Sequence, residues 1–84
     1  MGRKKIEQKL FEERLPNGMR LKEIALLLKY YGYDQDNTKG SHWTFIRGEK
    51  VKTVPTKNGR VVTKHYLGEI RQNIIECQEE ANNV

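Results

Sequence analysis

The apolar residues in the first third of the chain recur at helical spacing in two stretches. In residues 3–14, Ile6 and Leu10 lie four positions apart and therefore share one face of a helix. In residues 21–31 the apolar positions take the same steps of three and four, at Leu21, Ile24, Ala25, Leu28 and Tyr31. A proline soon follows the first stretch and a glycine follows the second, as is common after helix ends. The pattern predicts two amphipathic helices.

The middle of the chain changes to the two-residue alternation and the β-branched or aromatic runs that are typical of strands. Residues 43–47 and 50–54 predict two strands, joined by Gly48-Glu49 as a two-residue hairpin turn. A preceding strand is predicted over residues 33–38 and a short fourth piece over residues 60–63. We therefore expect a small antiparallel sheet built around one hairpin.

Helical spacing returns at Lys64 and continues towards the end of the chain. The apolar residues here step by three or four, at Leu67, Ile70, Ile74, Cys77 and Ala81. The predicted order is α-α-β-β-β-α, which indicates an α+β fold with helices packed on a three-stranded antiparallel sheet. A three-stranded sheet with a helix before and after it is also the layout of double-stranded-RNA-binding domains. With 84 residues, we expect one domain over residues 1–84.

The charge of the chain is unevenly distributed along its length. The formal net charge is +5, from 16 Lys and Arg against 11 Asp and Glu. Residues 1–63 hold 14 of the cations and 7 of the acids, whereas residues 64–84 hold 2 and 4. A basic front part with an acidic tail is compatible with a nucleic-acid partner, although many small basic domains bind none.

Several classes of protein are disfavoured by composition. A single cysteine, Cys77, allows no intramolecular disulfide. No apolar run approaches the ~18 residues of a membrane span, and no apolar signal core follows the basic N-terminus, so we expect a cytoplasmic protein without a membrane partner. The two histidines and Cys77 are irregularly spaced for a zinc site, so we expect no metal and no cofactor.

One ordered set of short motifs points to a family. The sequence has a Gly32-Tyr33 pair after the second helix, a Lys39-Gly40-Ser41-His42 turn before an aromatic strand, and Val54-Pro55 at the end of the return strand. A basic loop containing a glycine and a C-terminal helix follow. Over residues 19–75 this arrangement resembles the HicA toxin family.

The resemblance implies a double-stranded-RNA-binding-like fold, cleavage of messenger RNA, and neutralisation by an antitoxin of the HicB family. It also implies that the motif histidine, His42 in this chain, is the catalytic residue. The chain departs from the family pattern in two places. Trp43 stands where members often carry a second histidine or a small polar residue, and the helix at residues 3–14 is an N-terminal extension relative to the shortest members.

The chemistry of the motif residues suits RNA cleavage without a metal. The 2′-hydroxyl of RNA can attack the adjacent phosphate when a base removes its proton and an acid protonates the leaving oxygen, and histidine as a residue type serves either role near neutral pH. A glycine turn exposes backbone N–H groups to a phosphate. We therefore expect His42 as general acid or base and RNA contacts from a set of turn and loop residues: Lys39, Gly40, Ser41, Arg47, Lys57 and Arg60.

Two other functions remain open at the level of sequence. A non-catalytic RNA- or DNA-binding module on the same fold explains the charge but gives no reason for a histidine at position 42. A protein-interaction domain could use the apolar stripe of the last helix, Leu67, Ile70 and Ile74, as its docking surface. Trp43 and Phe45 alternate onto one face of their strand, which favours a core position over a base-stacking role.

Overall fold

The computed structural model describes residues 2–39 and 42–82, the side chains of residues 37–39 excepted. In chain order the elements are α1 (Arg3–Leu10), β1 (Gly18–Arg20), α2 (Leu21–Tyr30), β2 (Asp34–Lys39), β3 (His42–Arg47), β4 (Lys50–Pro55), β5 (Val61–Thr63) and α3 (Lys64–Asn82). Strands β2, β3 and β4 form a three-stranded antiparallel sheet, and β1 and β5 form a second sheet of two strands. The predicted α+β fold with a three-stranded antiparallel sheet is confirmed.

Helix α1 is shorter than its predicted range of residues 3–14. It ends at Leu10, the second of its two buried residues. Residues 12–14 are exposed and charged, so they offer no apolar face on which a further turn could pack. The hydroxyl of Tyr31, which follows α2, donates to the Glu7 carboxylate of α1 at 2.6 Å and accepts from Gln78 of α3 at 3.1 Å. The three helices are therefore also joined by polar contacts.

The central sheet presents two different faces. The register pairs Trp43 with Val54 and Phe45 with Lys52, and these four side chains share the face that the helices cover. Val54 and Phe45 on that face belong to the buried core. The intervening residues of β3, beginning with His42, therefore point to the opposite face.

The two-stranded sheet was not predicted, although the fourth strand piece was. Its strands β1 and β5 pair through Gly18 with Thr63, Met19 with Val62, and Arg20 with Val61. This pair joins the start of α2 to the start of α3, because each helix follows directly from one of its strands. The N–H of Leu21 also donates to the carbonyl of Arg60 at 2.8 Å. The loop before β5 is thus held against α2.

The buried core draws on the helices and on both sheets. It contains Ile6, Leu10, Met19, Leu21, Ile24, Leu27, Leu28, Tyr33, Phe45, Val54, Val62, Leu67, Ile70, Ile74 and Cys77. The predicted stripe of α3 is thus inside the protein from Leu67 to Cys77, and only Ala81 is exposed. A partner cannot dock on that stripe without opening the fold. None of the helices in the described part of the chain is both long and apolar enough to cross a membrane.

Candidate RNA-binding and catalytic site

His42 occupies the first position of β3, at one end of the central sheet. Its register partners are Lys39 on β2 and Pro55 on β4. The residue is exposed, and no described residue forms a hydrogen bond or ion pair with its imidazole. Each ring nitrogen of an imidazole can donate or accept a hydrogen bond, and among the described side chains none engages those of His42.

A tight cationic turn follows β4 close to His42. The N–H of Arg60 donates to the carbonyl of Lys57 at 3.1 Å, and the N–H of Lys57 donates to the carbonyl of Val61 at 2.7 Å. Asn58 and Gly59, the two central residues, both have left-handed φ angles, 56° and 69°. These values are the signature of a type I′ turn, for which Asn-Gly is the favoured sequence.

The turn presents both of its cations to solvent. The side chains of Lys57 and Arg60 are exposed, and neither forms an ion pair with any residue that the structure describes. Lys57 lies two positions after Pro55, the register partner of His42. Lys57 and His42 therefore lie near the same end of the three-stranded sheet, and neither has an ion-pair partner among the described residues.

Arg47, another cation expected to bind RNA, lies at the other end of β3. Five strand steps separate it from His42, which corresponds to about 17 Å. A carboxylate oxygen of Glu80 on α3 lies 2.7 Å from the guanidinium of Arg47. The structure thus does not bring Arg47 together with His42, and its charge is already matched by an acid of the same chain.

The acidic C-terminal helix neutralises the whole cationic hairpin. Glu80 also contacts Lys50 at 2.7 Å, and Lys52 pairs with Glu69. The hydrogen bond from Arg47, followed in size of effect by the one from Lys50, lowers the pKa of Glu80 from 4.5 to about 2. The hydrogen bond to Glu80 in turn raises the pKa of Arg47. These contacts join α3 to β3 and β4. The free basic surface, meaning the exposed cations that form no ion pair with a described residue, therefore lies on other elements.

That free basic surface surrounds a groove between α2, the sheet and the cationic turn. The groove has a volume of about 1120 Å³, and Arg60 lines it together with Arg20, Lys22 and Lys29. The last three residues were not singled out from the sequence. Lys22 and Lys29 are seven residues apart and therefore share the polar face of α2, which is a signal that the helical pattern already contains.

Trp43 and Phe45 both line this groove but differ in burial. Phe45 is 1% exposed and belongs to the core, as expected. Trp43 is partly buried and packs against the core from outside. Its indole N–H is buried and has no hydrogen-bond acceptor among the described residues. Trp43 thus forms part of the groove wall and not a fully exposed platform for base stacking.

The other motif residues divide between the described and undescribed parts of the chain. The backbone of Lys39 ends β2 opposite His42, whereas Gly40 and Ser41 lie outside the described residues. Cys77 is buried, and burial raises the pKa of its thiol, which makes it a poor nucleophile. No group of metal-binding side chains occurs in residues 2–39 and 42–82.

His65, the second histidine, lies at the start of α3. Its side chain is largely exposed and stacks edge-on against Tyr66, with ring centroids 4.9 Å apart. Its Nε2 lies 3.7 Å from the Glu69 carboxylate. His65 is thus an exposed histidine that already has neighbours, and it provides a reference for His42.

No family model, no curated protein and no solved structure matches this chain.

Proposed function

We propose that this protein is a cytoplasmic, metal-independent endoribonuclease toxin of the HicA type that cleaves messenger RNA and is neutralised by a HicB-like antitoxin. The observation that carries the proposal is the position of His42: exposed, without a partner in the described structure, and beside a turn with two unpaired cations. The order of motifs from Gly32 to the last helix supports the family assignment. The layout of a three-stranded sheet between α2 and α3 fits a double-stranded-RNA-binding-like fold.

The proposed reaction uses the 2′-hydroxyl of the RNA as nucleophile. A base removes the 2′-proton, the 2′-oxygen bonds to phosphorus, and the bond from phosphorus to the 5′-oxygen breaks as an acid protonates that oxygen. His42 performs one of these proton transfers, and the products are a 2′,3′-cyclic phosphate and a free 5′-hydroxyl. A single positioned acid–base group contributes roughly 10²- to 10⁴-fold in rate.

The cations of the turn have the complementary role in this scheme. Negative charge builds on the phosphate oxygens as the fifth bond to phosphorus forms, and nearby positive charge stabilises it. Lys57 and Arg60 are suited to this because no acid of the described structure neutralises them. Lys39, Gly40 and Ser41 complete the proposed RNA contacts at the turn that precedes His42. Arg47 is left out, since Glu80 holds it at the far end of β3.

The chemistry of the products tests this proposal. Purified protein is incubated in EDTA with a messenger RNA and, in parallel, with DNA of the same sequence. The proposal predicts RNA fragments that end in a 2′,3′-cyclic phosphate and intact DNA, because only RNA carries the nucleophile. RNA that is bound but not cut would instead favour the non-catalytic binding module, and cleavage of both polymers would exclude the 2′-hydroxyl mechanism.

A further inference from the structure

The groove beside the cationic turn exposes apolar surface that no other part of the described chain covers. Leu26 on α2 is 46% exposed and Val61 at the start of β5 is 37% exposed. Both line the groove, together with Ala25 and Trp43. Aliphatic side chains grouped in a concavity are typical of a binding surface, because isolated exposed apolar residues need no explanation but grouped ones do.

The rim of the same groove carries four cations that form no ion pair with the residues that the structure describes. Arg20, Lys22, Lys29 and Arg60 line it, are exposed, and form no ion pair with any described residue. A single acid, Asp34, accompanies them in the lining. The contrast with the β3–β4 hairpin is clear, since there Arg47, Lys50 and Lys52 each contact a glutamate of α3. An acidic partner would therefore meet these four cations without a competing ion pair among the described residues.

We propose that this groove binds an acidic, amphipathic segment of a partner protein. Lys22 and Lys29 are two helical turns apart, which is about 10.5 Å along α2, and Ala25 and Leu26 lie between them. A segment that complements the groove carries apolar side chains between two carboxylates, and these carboxylates are spaced like Lys22 and Lys29. Its apolar face covers Leu26 and Val61, and its acids lie against the rim.

The composition of the groove favours a protein segment over RNA. Leu26 and Ala25 stand between the two lysines, and aliphatic side chains offer no stacking partner for a base. The partly buried Trp43 has its indole N–H inside the protein, so its ring is not presented as a free platform. Apolar contact plus charge complementarity is the arrangement by which grooves bind amphipathic peptides.

Occupation of the groove would also affect RNA, and this consequence alone rests on the proposed nuclease function. Arg60 belongs both to the groove and to the cationic turn, so a bound segment covers one of the proposed phosphate contacts. Trp43, which lines the groove, directly follows His42 in β3, and the two side chains point to opposite faces of the sheet. A partner bound here therefore competes with RNA without contacting the imidazole.

Selection from displayed peptides tests the proposal without assuming a particular partner. Random peptides of ~15 residues, the length at which isolated helices become marginally stable, are selected on the wild-type protein. The selected peptides are then titrated against wild type, a Lys22→Glu/Lys29→Glu variant and a Leu26→Asn variant. The control is Lys4→Glu/Lys5→Glu, which makes the same change of charge on exposed positions of α1. The emission of Trp43, the single tryptophan, reports occupancy of the groove.

The proposal predicts enrichment of peptides with aspartate or glutamate around apolar residues. Their binding is expected to shift Trp43 emission and to weaken about tenfold in each groove variant, with no change in the α1 control. Absence of enriched peptides, or equal binding to the groove variants, would overturn it. So would a single-stranded RNA oligonucleotide that loses affinity in the Leu26→Asn variant as strongly as the peptides do, because Leu26 lies outside the proposed RNA contacts. Because no step requires cleavage, failure of the nuclease proposal leaves this result unaffected, and the reverse also holds.

Discussion

Replacing Lys57 and Arg60 by glutamine should lower the salt dependence of RNA binding, whereas the same change at Arg47 should not. The two turn cations are exposed and unpaired within the described structure. Arg47 lies about 17 Å from His42 along β3, with the Glu80 carboxylate 2.7 Å from its guanidinium. A phosphate that binds the turn releases the counter-ions associated with it, and a cation already neutralised by Glu80 adds little to that release.

The expected magnitude follows from the number of contacts. Each phosphate contact contributes roughly 0.7 to the slope of log affinity against log salt for single strands. Loss of both turn contacts should therefore reduce the slope by about 1.4. Between about 50 and 200 mM salt, the wild-type affinity should fall roughly sevenfold more than that of the double variant.

Fluorescence anisotropy of a labelled RNA, titrated at several salt concentrations, measures these slopes. All proteins carry His42→Ala so that the RNA stays intact, and thermal unfolding confirms that each is folded. An Arg47→Gln variant serves as the control, because it removes one positive charge that Glu80 already neutralises. Phosphate contacts at Lys57 and Arg60 would be contradicted by a slope of log affinity against log salt that falls with Arg47→Gln. A slope that stays constant with the turn variant would contradict them equally.

Two further predictions concern stability. In the folded protein the pKa of Glu80 is about 2, below its ordinary value of 4.5. The ionised carboxylate therefore contributes fully to the free energy of unfolding above pH 4.5, and this contribution is lost as the pH falls towards 2. Glu80→Gln should therefore be less stable than wild type at neutral pH, with a difference that shrinks across that window in denaturant titrations followed by circular dichroism. A constant difference would contradict the assigned pKa. Gly18→Ala should destabilise the protein by about 1–3 kcal/mol, because its Cβ would lie 2.9 Å from Cγ1 of Val61. Gly68→Ala, where a Cβ inside α3 would meet Leu15 Cδ1 at an ordinary contact distance of 3.7 Å, should not destabilise the protein in the same urea titration; a loss equal to that of Gly18→Ala would disprove the clash.

The helices and the hairpin were predictable because their signals are local. The stripe that begins at Leu67 repeats through α3, and a glycine turn separates two runs of strand-forming residues in the hairpin. The sheet of β1 and β5 was only half predicted because each strand has three residues, too few for an alternation to emerge. Its pairing depends on contacts between distant positions, which no local pattern encodes.

The candidate site shows the same division between local and distant information. The position of His42 at a strand end and the Asn-Gly turn beside it follow from the order of residues. The neutralisation of Arg47 does not, since it requires that the end of α3 lie over the hairpin, 33 positions further along the chain. The groove likewise arises where α2, β3 and the turn before β5 meet, and its rim was therefore missed.

The most direct test of the account compares the two histidines of the chain in one cleavage assay. Initial rates of RNA cleavage in EDTA are measured for wild type, His42→Ala and His65→Ala, all shown to be folded. Both histidines are exposed, but His42 lies at the sheet end from which the cationic turn follows, whereas the imidazole of His65 already lies 3.7 Å from the Glu69 carboxylate. We expect a rate loss of roughly 10²- to 10⁴-fold for His42→Ala and a rate close to wild type for His65→Ala. Equal rates for all three proteins would contradict the central role of His42.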